Sequence, residues 1–488
     1  SLITYHKGGE WMKKLETFLG RPMFDSCMQA YYDKWMFRHP YPEDFKKILE
    51  STSGRSVDNL FRELDKKGSL LPPVKRSFQL VSFFNFKDGH AKNYISIAPV
   101  AGYNTYDGFM PGALIHNYQL PLNRFSFFAM PLYAAKSKQF NVLLKASYSW
   151  YPDNVIYKVN LGINAARFSI NEYQNSVDER IIARFKKWVP YLRVTFNQDN
   201  TSSNTERYIQ FKSFFINEDA FDFRQVIQGV DTSNIVKTIS ARRNLNQLKF
   251  VIDNKRMLYP YRAEFQVEQQ DAFVRAAFTG NYYFNYSNGP GGLALRLFVG
   301  KFFYTIAKTI QQQFQTDRYH LNLSGANGYE DYTYSNYFVG RNEFENVGSQ
   351  QMMIRDGGFK VRTDLLSKKI GKTDDWLIAA NFTTAIPHQW NPLKVLPFEI
   401  PLKLFADIGT FADASAQQAK KGSFLFDAGL QLSLLKESIM IYIPVINSSV
   451  FSNYFKSTLG NNRLLKTISF SIDIQNFNWQ KLDRKIPF

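Results

Sequence analysis

Apolar and polar positions follow two different periods along this chain. Over the first seventy residues the period is helical. Trp11, Leu15, Phe18 and Leu19 recur at helical spacing and Gly20 stops the run. Pro22 suits the first turn of a second helix, where its missing N–H costs nothing, and Phe24, Cys27, Met28, Tyr31 and Trp35 make one face. Pro42 opens a third helix with Phe45, Ile48 and Leu49 inward and Gly54 after it. Ser56 caps a fourth, with Val57, Leu60, Phe61 and Leu64 inward and Gly68 closing it. This predicts a small helical subdomain over residues 1–70, with a linker over 71–76 that contains Leu71-Pro72-Pro73.

Past the linker the period becomes two. Tyr157, Val159, Leu161, Ile163 and Ala165 share one face, and Lys158, Asn160, Gly162 and Asn164 the other. Tyr261, Ala263, Phe265 and Val267 oppose Arg262, Glu264, Gln266 and Glu268. Leu402, Leu404, Ala406 and Ile408 oppose Lys403, Phe405, Asp407 and Gly409. Phe424, Phe426, Ala428, Leu430, Leu432 and Leu434 form a longer apolar face, and Ile468, Phe470, Ile472 and Ile474 a last one. Soluble strands average about 5–6 residues, whereas about 9–11 cross a tilted bilayer. The runs here reach the second length. The expected fold is therefore mainly β: a transmembrane outer-membrane β-barrel of about 16 antiparallel strands (range about 14–18) over residues 77–488, behind the helical subdomain. A soluble all-β fold is the alternative, usually with shorter strands. The stretches near 199–206, 226–240 and 315–333 read as external loops, and Tyr286 to Gly292 as a turn. An even strand number puts both ends in the periplasm, and with them the helical part.

Composition agrees with this reading. Among 488 residues there are 45 Phe and 28 Tyr, only 21% are charged, and no run is long and apolar enough for a membrane helix. The single cysteine, Cys27, allows no intrachain disulfide and reads as core filler. Ser1-Leu2-Ile3-Thr4 shows no basic n-region, apolar h-region or cleavage site, so no signal peptide is visible: either one was removed or the natural chain begins upstream, and the motifs below favour the second. Residues 1–73 hold 12 basic and 10 acidic side chains, a net of +2, which leaves +16 of the +18 for residues 74–488. Those cations stand singly at alternate strand positions or in loops. They suit a lumen lining and contact with anionic outer-membrane lipid and lipopolysaccharide; no nucleic-acid partner is expected.

The segment Thr4-Tyr5-His6-Lys7-Gly8-Gly9-Glu10-Trp11-Met12 resembles the Tyr-x-Lys-Gly segment of M1-family (gluzincin) zinc aminopeptidases. Leu15 to Gly20, Phe24, Ala30-Tyr31-Tyr32, Phe37-Arg38-His39-Pro40 and Glu43-Asp44-Phe45 continue the resemblance, which covers roughly the first 65 residues. It implies that Tyr5 donates its hydroxyl to the oxyanion formed at zinc, with a peptide as substrate. The family's zinc ligands and general base lie before this tyrosine, so zinc is expected upstream of residue 1. No His-x-x-x-His spacing occurs among the six histidines.

Two further pieces, Tyr103 to Gly112 and Arg355-Asp356-Gly357-Gly358-Phe359-Lys360-Val361-Arg362, resemble bacterial surface-antigen barrels, relatives of the Omp85 assembly and translocation proteins. The lumen-facing candidates are Lys158, Asn160, Arg262, Glu264, Glu268, Arg355, Lys360 and Arg362. The expected function is a membrane-tethered zinc metallopeptidase with the barrel as its outer-membrane anchor; the alternatives are a non-catalytic subunit or scaffold of an outer-membrane assembly or translocation complex, with other outer-membrane proteins as partners, and a porin or channel. No phosphate loop, Gly-x-Ser-x-Gly or Cys-x-x-Cys is present, and Asp374-Asp375 reads as a solvated turn.

Overall fold

A computed structural model describes residues 2–65, 70, 77–82, 92–119, 123–152, 155–174, 179–198, 203–228, 231–287, 291–306, 318–363, 370–395, 401–417, 423–435, 437–460 and 463–473. The linker 71–76, Gly68 and Ile474 lie outside these residues, as do 199–202 and 288–290.

Four helices form where the helical period predicts them. Helix α1 (Leu2–Leu19) ends at Gly20, whose φ of 81° a side chain would resist. Helix α2 (Arg21–Trp35) carries Pro22 in its first turn. Helix α3 (Pro42–Ser53) starts with the Asp44 carboxylate accepting the Tyr41 N–H at 3.0 Å and ends at a left-handed Gly54. Helix α4 (Asp58–Asp65) follows. Trp11, Leu15, Leu19, Cys27, Leu49 and Val57 are buried together, and the Trp11 indole donates to the Leu60 carbonyl at 2.7 Å. Phe18 and Leu64, expected inward, are exposed; each lies in the last turn of its helix.

The strands are β1 (Ser77–Ser82), β2 (Lys92–Asn104), β3 (Gly108–His116), β4 (Phe125–Ala134), β5 (Gln139–Trp150), β6 (Ile156–Gln174), β7 (Arg180–Phe196), β8 (Thr205–Gln228), β9 (Asp231–Asn254) and β10 (Tyr261–Gln270). They continue as β11 (Phe273–Asn285), β12 (Gly292–Tyr304), β13 (Leu321–Asn322), β14 (Lys372–Thr373), β15 (Trp376–Ala385), β16 (Leu402–Phe411), β17 (Leu425–Leu434), β18 (Ile439–Asn447) and β19 (Ser469–Ile472). Short helices α5 (Ala414–Gln417), α6 (Ser449–Thr458) and α7 (Arg463–Thr467) complete the described elements. The fold is mainly β: among the described residues 17 strands join one sheet, and β13 and β14 pair as a second, two-stranded sheet. Strand β1 runs parallel to β2. From β5 to β12, and on from β15 to β19, each strand is antiparallel to the next.

Two units can be described separately. One holds residues 1–98 and 114–128, with the helices and β1; the other holds 99–113 and 129–488. In the second unit the alternation is inverted relative to a soluble protein. One register row crosses five strands as Phe250, Phe265, Phe278, Val299 and Ile378, and each side chain is 40–48% exposed. On the other face the row through Gln247, Glu268 and Arg275 is buried. Apolar rings outside and charges inside are the pattern of a wall that meets lipid.

Two loop expectations change. Residues 226–228 and 231–240 belong to strands, because β8 and β9 pair over their whole length, from Thr205↔Asn254 to Gln228↔Asp231. This hairpin outruns its neighbours: β7 pairs with β8 only as far as Glu218, and β10 with β9 only as far as Asn246. Residues 318–333 are largely buried, not external: Arg318 and Tyr332 find partners in Glu218 and Glu268 of the sheet, and Glu330 and Asp331 in Lys372 and Arg341.

Candidate functional site

The segment between β12 and β15 is the polar centre of the second unit. Its described residues include buried Glu330, Asp331, Arg341, Gln351, Asp356, Lys360 and Arg362. Burying so many charges is costly unless each is paired; Asp356 and Lys360 find partners on the inner sheet face, while Glu330 and Asp331 find theirs within the segment and β14. Arg275 of β11 bridges Glu268 of β10, at 3.1 Å, and Asp356 of the segment. Arg296 of β12 donates to the Asp356 carbonyl at 2.7 Å and to Asn381 Oδ1 at 2.9 Å. Asn381 of β15 donates to the Gly357 carbonyl at 2.8 Å. Lys360 reaches Asp407 of β16 at 2.6 Å.

The contacts extend to both ends of this run of strands. The Thr105 N–H donates to the Val339 carbonyl at 2.9 Å, and Asn342 to the Ile170 carbonyl of β6 at 3.0 Å. At the far end the Met352 N–H donates to the Phe470 carbonyl of β19 at 2.8 Å. One segment meets β6 and β19 only because the sheet curls around it.

Backbone and apolar residues seat the segment. Gly358 has a φ of 69°, and a Cβ there would lie 2.8 Å from both Arg296 Nη1 and Asn381 Oδ1. Only glycine lets the turn approach the wall so closely. Phe359 and Val361 are fully buried beside Phe298, Leu377 and Phe411. Arg355 stacks over the Tyr332 ring at 4.9 Å and lies 3.6 Å from Asp356, while the Tyr332 hydroxyl donates to Glu268.

A second charged node lies at the start of the segment. Glu330 meets Lys372 at 2.7 Å and His320 Nε2 at 3.0 Å, and accepts the Asn327 N–H at 3.0 Å. Burial alone would raise the Glu330 carboxyl, but Lys372 and His320 outweigh it and hold the group well below the usual carboxylate range. Burial opposes ionisation of Asp331 too, and Arg341 and Arg355 overcome it.

The expected site residues divide into groups. Glu268, Arg355, Lys360 and Arg362 are drawn into the segment and its anchors, Arg362 donating to the Lys466 and Phe344 carbonyls at 3.2 Å. Lys158, Asn160, Arg262 and Glu264 sit on the polar face of their strands. Asn160 donates to Ser149 Oγ at 3.0 Å, Arg262 meets Asp253 at 3.3 Å and Glu264 at 2.9 Å, and Lys158 lies 5.8 Å from the Tyr151 ring centre. Tyr5 lies in α1; its side chain is outside the described residues. Among the described residues, no group of three His, Cys, Asp or Glu side chains could hold a metal ion.

Sequence reasoning passed over Asp331, Arg341, Arg275 and Arg296. A signal for the first two was present in the aromatic density of the stretch, with Tyr319, Tyr329 and Tyr332 within the supposed loop and Tyr334 and Tyr337 just after it.

No protein-family model matches the chain. A stretch of 65 residues is 32% identical to aminopeptidase M1-D of Oryza sativa subsp. japonica, covering 13% of this chain and 7% of that relative's length. Among solved structures, the chain is similar to BamA from Haemophilus ducreyi lacking POTRA domains 1–3, with a TM-score of 0.41 and 12% identity over 74% of this chain and 68% of that one. It is also similar to CdiB from Acinetobacter baumannii, with a TM-score of 0.35 and 10% identity over 72% and 55% of the two chains.

Proposed function

We propose that this chain is a barrel of the bacterial outer membrane that serves a protein assembly or translocation complex. The segment inside the wall is its working part, and the helical segment is a platform on the periplasmic side. The observation that carries this reading is the Arg275–Asp356 pair, which ties a charged inner segment to a wall whose outer face is apolar. A porin needs a water-filled lumen; here residues 318–363 occupy much of the polar face. The resemblance of Arg355 to Arg362 to surface-antigen barrels supports the same choice.

The test uses planar bilayers and whole cells. The intact protein should pass little steady current, and Asp356→Asn should open it. In its own cell, the same variant should lower the amount of folded outer-membrane protein. A large steady conductance from the wild type would favour the channel reading. Unchanged outer-membrane protein in cells lacking this chain would remove the assembly reading.

A membrane-tethered metallopeptidase is the second reading, favoured by the 65-residue aminopeptidase match. Zinc and its ligands would then precede residue 1, with Tyr5 as oxyanion donor. Zinc content of the native protein and peptide turnover of Tyr5→Phe test it; unchanged turnover would take Tyr5 out of the mechanism.

A further inference from the structure

On the outer face of β6 to β9, apolar rows give way to a polar and then a charged one. Leu192, Phe211 and Leu248 stand in one row, and Ser213 and Asn246 in the next. Trp188, Phe215 and Asn244 follow. Beyond them, Arg167, Lys186, Asn217 and Arg242 stand side by side on four successive strands. Neighbouring strands are about 4.8 Å apart, so the three cations span only about three strand spacings. Among the described residues none of them has a carboxylate partner, and Arg167 Nε is buried without a hydrogen bond. The acid of the next row, Asp219, is already engaged by the Arg184 N–H at 3.1 Å and by Ser240. A cleft of about 370 Å3 opens here, lined by Lys186, Trp188, Phe215, Asn217, Arg242 and Asn244.

The height of this cleft on the wall is informative. On β9, Asn244 lies in the Trp188–Phe215 row, and Asn254 pairs with Tyr261, which pairs with Tyr282. At the rise and tilt of barrel strands, the stretch between these rows measures about 25 Å, the height of an apolar band bounded by two aromatic girdles. The cation row then falls at the level of lipid head groups, just past one girdle.

We propose that Arg167, Lys186 and Arg242 bind the phosphate of a membrane lipid, with Asn217 as an additional donor and the acyl chain lying against Trp188 and Phe215. A free anion would have no use for the exposed aromatic floor, so the ligand is a phosphorylated lipid. This site rests on the wall being membrane-embedded.

The full-length chain in mild detergent would be mixed with a phosphorylated glycolipid, or with the same glycolipid stripped of phosphate, and retained lipid counted by native mass spectrometry. Wild type and the exposed-lysine control Lys237→Gln should keep the phosphorylated form. The combined Arg167→Gln, Lys186→Gln, Arg242→Gln variant should lose it by roughly tenfold or more. Equal retention by the combined variant, equal retention of the phosphate-free lipid, or displacement by inorganic phosphate alone would each overturn the site. Heat-dependent gel mobility after vesicle insertion is read on every sample. If the combined variant does not fold, Arg242→Gln alone is scored, with a smaller loss expected and an unchanged count overturning the site. If the wild type does not insert, the membrane reading falls and the site with it; if it inserts and lipid counts are unchanged, the site alone falls.

Discussion

Arg275 and Asp356 form an ion pair in which the two side chains are only 3% and 4% exposed, one on the wall and the other on the segment inside it. Removing one partner from such a pair leaves a buried charge unmatched, which costs about 3–5 kcal/mol. Asp356→Asn should therefore lower the unfolding midpoint in detergent or lipid. Replacing both residues by apolar ones should recover much of the loss; if the double variant is as weak as the single one, the pair is not the source of the effect.

The Glu330 node predicts a pH dependence. Its carboxyl is held below the ordinary range in the folded protein, so its stabilisation is fully present above the unfolded carboxylate value of about 4.3. It is lost as the pH falls through the lowered folded value. Urea unfolding of the wild type should weaken below about pH 4, and Glu330→Gln should flatten that slope. An identical slope in the variant would show that other carboxylates dominate.

The outer face offers a sharper contrast. Phe265 is 48% exposed in a row of exposed apolar side chains. On a soluble protein, exchange of so exposed a ring for lysine would change stability little. Facing lipid near the middle of a bilayer, Phe265→Lys should cost about 2–4 kcal/mol. Equilibrium unfolding in lipid vesicles measures the difference.

Gly358→Ala should free the inner segment without touching the wall. The added methyl meets Arg296 and Asn381 and the backbone keeps an unfavourable φ. Limited proteolysis is expected to cut within 318–363 in the variant and spare it in the wild type, while gel mobility still reports an intact barrel.

The repeating parts of this fold were legible in the residue pattern. Gly20, Gly54 and Pro22 mark helix ends by local backbone geometry, and strand faces such as Leu404, Ala406 and Ile408 follow from pleat alone. The inner segment was not legible. Glu330 and Asp331 look solvated in sequence, because the cations that make their burial tolerable are set only once the fold has formed. Arg275 comes 81 positions before Asp356, and no local rule links them. The β8–β9 extension was missed for a simpler reason: polar residues such as Asp222, Arg224 and Lys237 sit beyond the last pairings with β7 and β10 among the described residues.

Because the segment bonds to Thr105 near one end of the wall and to Phe470 near the other, its last contacts cannot form until β19 has been made. Contacts so distant in sequence are slow to close. A chain cut short before β19 would leave the Met352 N–H without its partner. Closure of the interior thereby reports the arrival of β19, and a copy without that strand would carry an unseated segment that a protease could read.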